Sequence, residues 1–237
     1  MTARRTPPRA VLFDLYNTLV PGGDDLRRQV AADMAAVIGV TPDAMHDAIV
    51  SSARERFTGA LGDLAATYTE LARRLGVDAG PAAIAGLCEL RLALTRGLLS
   101  QPSPAAVQVL RRLRAAGWSV GLVSNATAET PALWFGMPLA PLVDATAFSC
   151  EAGLAKPDPA IYLDACARLG VAPEDCVYVG DGADHELPAA ASLGMTVIRT
   201  TEFADTAPSW PGPSIPVLTA LPDLITERTE PPTAQAS

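Results

Sequence analysis

The sequence predicts an α/β fold, a parallel sheet flanked by helices with a block of helices inserted near its start. Three observations predict it. Short apolar runs at 11–13, 120–123 and 176–179 show no alternation, the pattern of strands buried on both faces. Helical patterns separate these runs, so successive strands run parallel through right-handed crossovers. Residues 22–99 carry helical periodicity and no convincing strand, the size and character of a small helical bundle.

Taken in order, residues 1–8 form a short polar tail that ends in proline. The strand at 11–13 runs into Asp14, and Pro21-Gly22-Gly23 breaks the chain. Four helical patterns follow. Leu26, Val30, Met34 and Val37 mark the first; Met45, Ile49 and Phe57 mark the second, after the cap-and-first-turn pair Thr41-Pro42. Leu61, Leu64, Tyr68, Leu71 and Leu75 mark the third, and Ile84, Leu87, Leu90, Leu94 and Leu98 the fourth. Gly39-Val40 and Gly76-Val77 read as C-terminal stops, a left-handed glycine followed by an apolar residue.

After Pro102 the pattern changes. Ser103-Pro104 starts a helix that ends near Gly117, and the strand at 120–123 ends in Ser124-Asn125. A weaker strand is expected at 145–148, a helix from Asp158-Pro159 to Gly170, and a strand at 176–179 ending in Gly180-Asp181-Gly182. A helix over 186–193 and a strand over 196–199 come next. Residues 201–216 read as loop, and 217–225 as a last strand or helix. The expected division is a core of residues 9–20 and 100–226, a helical cap of 21–99, and flexible tails at 1–8 and 227–237.

Composition narrows the function. At 237 residues and 49% hydrophobic, the chain can bury a sizeable core. Its net charge of −8 argues against nucleic acid or an acidic membrane as partner. The pairs Arg27-Arg28, Arg73-Arg74 and Arg111-Arg112 lie in helical patterns and read as solvated faces. Four cysteines (Cys88, Cys150, Cys166, Cys176) show no metal-ligand or redox spacing and read as reduced and mostly buried. No apolar run reaches membrane-spanning length and no apolar segment follows Arg4-Arg5, so a cytoplasmic protein is expected.

Chemistry-bearing residues fall where strands and connections end. Asp14 follows a buried strand, at the sheet edge where open parallel sheets bind ligands, and Thr18 is placed to turn back toward it. A turn-capping role is the plain alternative. A Ser124 hydroxyl with the Asn125 N–H can hold a phosphoryl oxygen, or simply close a strand. Lys156 precedes a helix, the wrong end of the macrodipole for a cation unless an anion sits between. Gly180 and Gly182 permit close approach to a ligand, and Asp181, Asp184 and Glu186 are grouped carboxylates of the kind that suits Mg²⁺. An acidic helix start would account for them as well.

Asp14-x-Tyr16-x-Thr18-Leu19, Ser124, Lys156-Pro157-Asp158-Pro159 and Gly180-Asp181-Gly182 with Glu186 stand in the order of the four motifs of the haloacid dehalogenase superfamily. The stretch 149–162 also resembles its third motif. The resemblance covers about Ala10 to Thr200 and implies a Rossmann-like core with a helical cap inserted after the first motif. It implies Asp14 as nucleophile, Thr18 as its orienting group, and Ser124 and Asn125 as binders of the transferred group. Lys156 would neutralise charge beside Asp14. Asp14, the Tyr16 carbonyl, Asp181 and, through water, Glu186 would bind Mg²⁺. Asp184 has no matched role.

One position departs from the phosphatases of that superfamily. Their general acid/base Asp is Tyr16 here, as in the dehalogenase branch, and the usual following Gly is Asn17. A tyrosine with a pKa of about 10 is a poor general base near neutrality. Gly180-Asp181-Gly182 with Glu186 is phosphatase-like, because a metal serves a phosphoryl group and not a departing halide. The expected activity is a Mg²⁺-dependent phosphatase of a small phosphorylated substrate, acting as monomer or homodimer. A 2-haloacid dehalogenase and a catalytically weak binder of phosphorylated ligands are the alternatives. His46 and His185 are candidates for the missing acid, and Arg54 and Arg56 for reaching an anionic substrate.

Overall fold

The computed structural model describes residues 9–227. Its six strands are β1 (Ala10–Phe13), β2 (Ser119–Ser124), β3 (Ala145–Phe148), β4 (Cys176–Gly180), β5 (Thr196–Thr200) and β6 (Ser214–Ile215). They form one all-parallel sheet in the order β3-β2-β1-β4-β5-β6. All residues of β1 and β4 are buried, as their unbroken apolar runs require. The chain builds outward from β1 through β2 to β3, then crosses back to β4. That reversal opens a crevice at the carboxyl edge between β1 and β4, where such sheets place their ligands.

Six α-helices lie between β1 and β2 with no strand among them, and the first five make the inserted block: α1 (Asp24–Ile38), α2 (Pro42–Ser51), α3 (Ala53–Phe57), α4 (Leu64–Arg74) and α5 (Pro81–Leu99). They enclose their own apolar cluster, including Met34, Met45, Tyr68, Leu71, Ile84 and Leu87. Side-chain caps start two of them, Thr41 Oγ1 accepting from Ala44 N–H and Asp63 Oδ1 from Ala66 N–H. Gly39 and Gly76 adopt φ 74° and 75°, and Val40 and Val77 N–H close the stops read from the sequence. The two connections to the sheet run side by side, Ser103 N–H donating to Leu19 O at 3.2 Å.

The remaining helices are α6 (Pro104–Ala115), α7 (Glu129–Trp134), α8 (Ser149–Ala152), α9 (Pro159–Leu169), α10 (Glu186–Ser192) and α11 (Leu221–Glu227). One sheet face packs Phe13, Val120, Leu122 and Val179 against α6 and α11. The other packs Leu12, Val123 and Tyr178 against α9 and α10. None of the described helices is long and apolar enough to cross a membrane.

Three local expectations are corrected or resolved. The single helix expected over Met45 to Phe57 is broken at Ser52, whose hydroxyl bonds back to Ala48 O at 2.7 Å. The stretch 201–216 holds β6, two residues between Pro213 and Pro216, too short to leave a pattern. The expectation of a strand or helix over 217–225 resolves to helix, a 3-10 turn at Leu218–Ala220 running into an α-helix from Leu221, with Val217 extended before it. α7 had no expectation at all, being one and a half turns with Pro131 inside it. The expected tails, apart from Glu227, lie outside the described residues.

Candidate active site

Asp14 is the first residue past β1, and its N–H still donates to Val179 O at 2.9 Å, so its carboxylate leaves the sheet edge on backbone pinned to β4. The chain then turns at once. Asn17 adopts φ 58°, a left-handed conformation that asparagine tolerates, and its Oδ1 accepts from Gly22 N–H at 2.9 Å. The turn returns Thr18, whose hydroxyl donates to Asp14 Oδ2 at 3.1 Å.

Lys156 reaches the same carboxylate from the loop before α9. Its Nζ lies 2.5 Å from Asp14 Oδ1 and 2.6 Å from Glu186 Oε2. Tyr178 OH donates to that Glu186 oxygen at 2.7 Å, and Gly182 N–H to Glu186 Oε1 at 3.0 Å. The packing is tight enough to require glycine at 180, where a Cβ would stand 2.0 Å from Glu186 Oε1. Burial pushes the Glu186 carboxyl up to about 7 against the pull of Lys156. Burial raises Asp14 too, again opposed by Lys156. Burial acts against the Lys156 ammonium, but Asp14 and Glu186 outweigh it and its pKa is raised.

Asp181 completes the group from the loop after β4. Its Oδ1 accepts from Ala183 N–H at 3.0 Å, while Oδ2 is buried without a partner among the described residues. One oxygen each of Asp14, Asp181 and Glu186 lies within 4.8 Å of the others. Three buried carboxylates thus share one ammonium, which leaves negative charge in a poorly solvated place. A hard divalent cation fits this all-oxygen donor set, and Asp181 Oδ2 is the acceptor with nothing else to bind. Glu186 is the least free of the three, its oxygens already holding Lys156, Tyr178 and Gly182.

Ser124 ends β2 almost fully buried, and its hydroxyl has no partner among the described residues. Asn125, its neighbour, has a committed amide. Nδ2 donates to Lys156 O at 3.2 Å and to Asp184 Oδ2 at 2.7 Å, and Oδ1 accepts from Lys156 N–H at 2.8 Å. The Asn125 side chain therefore fastens the Lys156 backbone, a role separate from the phosphoryl contact expected of its backbone N–H. Asp184, in a left-handed conformation at φ 53°, is its second anchor.

A cavity of about 490 Å³ separates this sheet edge from the helical block. Asp14, Lys156 and Asp181 line one side; Arg27, His46, Arg56 and Arg91 line the other. Tyr16 sits between, its OH 3.0 Å from Thr130 Oγ1 and the Arg27 guanidinium 4.8 Å above its ring. Burial raises the Tyr16 hydroxyl above its ordinary value, with Arg27 opposing. Arg91 of α5 donates to Glu129 of α7 at 2.7 Å, both side chains buried. Arg27, expected on a solvated face, is instead half-buried in the cavity wall, its Nε bound to Gly22 O at 2.7 Å. Of the two histidines, His46 lines the cavity while His185 is exposed. Of the two arginines, Arg56 lines it while Arg54 is exposed.

Sequence reading missed Tyr178, Arg91 and Glu129. Tyr178 looked like one more apolar strand residue. Arg91 carried a legible signal, since at four residues after Leu87 and three before Leu94 it falls on the buried face of its helix. Glu129 carried none, standing in the unread helix α7.

The family model described as a haloacid dehalogenase-like hydrolase matches residues 8–194. Among curated proteins, the glyceraldehyde 3-phosphate phosphatase of Methanopyrus kandleri is 28% identical over 81% of this chain and 83% of its own length. The phosphoglycolate phosphatase of Xylella fastidiosa strain Temecula1 is 32% identical over 79% of this chain and 78% of its own. Among solved structures, a 2-haloacid dehalogenase from Pseudomonas syringae pv. Tomato DC3000 superposes with a TM-score of 0.68 at 23% identity. The match covers 93% of this chain and 99% of that one, and it is a likeness of fold.

Proposed function

The chain belongs to the haloacid dehalogenase-like hydrolases, and on that premise we propose that it is a Mg²⁺-dependent phosphatase of a small phosphorylated metabolite, with the helical block over 21–99 as its cap. The observation that carries this reading is the buried, partnerless Asp181 Oδ2 beside Asp14. Displacement of a halide from carbon has no use for that surplus of negative charge, whereas a phosphoryl group arriving with a cation does. A divalent ion held by Asp14 and Asp181, with the Tyr16 carbonyl and a water on Glu186, would neutralise the phosphoryl oxygens and bring them to the nucleophile.

The chain's own residues supply the rest. Thr18 and Lys156 each occupy one lone pair of Asp14, fixing the plane of the carboxylate and leaving one further pair on each oxygen, one for the cation and the other for attack. An Asp14 oxygen bonds to phosphorus as the ester P–O bond breaks, giving an aspartyl phosphate and the alcohol anion, which takes a proton. Water then attacks the phosphorus, releasing phosphate and restoring the carboxylate. Lys156, held on Asp14 by Glu186, offsets charge at both stages. Asn125 keeps the Lys156 backbone in place, and Ser124 presents its unpaired hydroxyl from the end of β2.

Phosphate release from a panel of sugar, nucleotide and organic-acid phosphates, with Mg²⁺ and with EDTA, beside halide release from 2-chloropropionate, tests the reading. Mg²⁺-dependent phosphate release lost in folded Asp14→Asn is the expected result. Halide release indifferent to EDTA would replace it with the dehalogenase reading, which Tyr16 favours.

A further inference from the structure

The charges around the cavity are segregated. The sheet edge is acidic, with Asp14, Asp181 and Asp184 against Lys156. The helical side is basic, with four guanidiniums against Asp24 and Glu129. Only Arg91 among the four is paired with a carboxylate; Arg27, Arg28 and Arg56 form no ion pair among the described residues. Arg27 and Arg56 are tied to neutral oxygens instead, of Gly22, Ser52 and Ile49. Burial depresses the pKa of both, and the charges of Arg91 and Glu129 are felt at each, so these groups share one neighbourhood.

A second observation points to a ligand there. Arg91 is 3% exposed, and its Nε and the Oε2 of its ion-pair partner Glu129 have no hydrogen-bond partner among the described residues. A guanidinium that the fold satisfies only in part is costly to bury, and Arg91 borders the cavity, where an anion can compensate it. The acidic edge calls for a cation; by the same logic the basic side calls for an anion.

We propose that Arg27, Arg56 and Arg91 form a distal anion subsite, so that the substrate is a phosphate ester carrying a second oxyanion at its far end. This rests on the phosphatase reading and narrows it. A cavity of about 490 Å³ accommodates a short molecule that spans from Asp14 to the arginines. The second group is a carboxylate or a second phosphate, both planar or trigonal arrays of oxygens suited to guanidinium forks. A neutral aldehyde or alcohol tail would leave the arginines uncompensated.

The test uses ligands that cannot turn over. 3-Phosphonopropionate, propane-1,3-bisphosphonate and propylphosphonate are titrated calorimetrically, with Mg²⁺, into wild type and into Arg27→Met, Arg27→Lys and Arg56→Met. Phosphate release from phosphoglycolate and ethyl phosphate is measured in parallel. Wild type should bind at least one of the two doubly anionic ligands about tenfold or more tightly than propylphosphonate. The larger preference identifies the tail as carboxylate or phosphate. Either Met variant should remove most of that preference, and Arg27→Lys should keep part of it. A merely structural role for Arg27 would weaken all three ligands alike. Equal binding of all three by wild type, or a preference that survives both Met substitutions, overturns the proposal. Selective binding without hydrolysis of any ester upholds the subsite and removes the phosphatase reading instead.

Discussion

Lys156 Nζ stands 2.6 Å from Glu186 Oε2, with both side chains buried. Asp14 takes the other face of the same ammonium, so Glu186 acts on the nucleophile through Lys156. Tyr178 and Gly182 hold Glu186 in turn, and the absent Cβ of Gly180 gives it room. The acidic start of α10 therefore serves the lysine first.

Glu186→Gln should keep the shape and the Tyr178 contact while removing the charge that holds Lys156. The expected loss in kcat is about 10- to 100-fold, the usual cost of a lost supporting contact around an active centre. Glu186 is also one of the groups that raise Lys156. A measurement of kcat with a thermal melt checks the expected loss, and an unchanged kcat in folded Glu186→Gln would detach Glu186 from Lys156.

Metal binding should be visible without turnover. In the metal-free protein Asp181 Oδ2 is a buried acceptor without a donor. Mg²⁺ at 100 times its Kd should stabilise the wild type by about 2.7 kcal/mol, a rise in Tm on the order of 5–10 °C for a chain of this size. Asp181→Asn should lose most of that rise. It should also be more stable than wild type in EDTA, because it relieves the carboxylate crowding. Scanning calorimetry of both proteins with and without Mg²⁺ decides it, and an equal Mg²⁺ response in the two would remove Asp181 as a ligand.

The parallel core was legible because strands buried on both faces leave apolar runs that nothing else in the chain imitates. Asp14, Lys156 and Asp181 were legible because each stands at the end of such a run or at a helix start, and the structure brings these three together. Arg27 was misread because a basic pair on a helix looks solvated until the cavity it borders is known. Glu129 and β6 were illegible because their elements are too short for periodicity. The bonds of the Asn125 side chain to Lys156 and Asp184 left no signal, since they join loops far apart in sequence.

The Arg91–Glu129 pair ties α5 to α7, and breaking it should cost about 3–5 kcal/mol, because either partner alone is a buried, uncompensated charge. Arg91→Met and Glu129→Met should each be destabilised by that much, and the double variant by markedly less. Burial raises Glu129, but Arg91 prevails and the carboxyl lies below its ordinary value. The contribution is therefore complete above about pH 4.5 and lost as pH falls through the folded pKa. Urea melts of the four proteins at pH 7 and pH 4 test this, and strictly additive effects would mean that the two charges do not support each other.

Tyr16 decides how the leaving group gets its proton. Its hydroxyl is spent on Thr130, its ring lies under Arg27, and burial raises its pKa, so it is less able to exchange a proton near neutrality than a free tyrosine. General acid–base assistance is typically worth about 10²–10⁴-fold, and its loss bears hardest on poor leaving groups. Alkyl phosphates should therefore be hydrolysed slowly relative to aryl, acyl or anomeric phosphates. Tyr16→Asp should narrow that gap by placing a carboxyl beside Asp14. The same substitution removes the Thr130 contact and sets a negative charge near Arg27, which alters binding of every substrate. For that reason the ratio of alkyl to aryl kcat is the measurement, and the absolute rate is not. An unchanged ratio in a folded, Mg²⁺-binding Tyr16→Asp protein would mean that position 16 does not handle the proton. His46, the one histidine on the cavity wall, would then be the next residue to substitute.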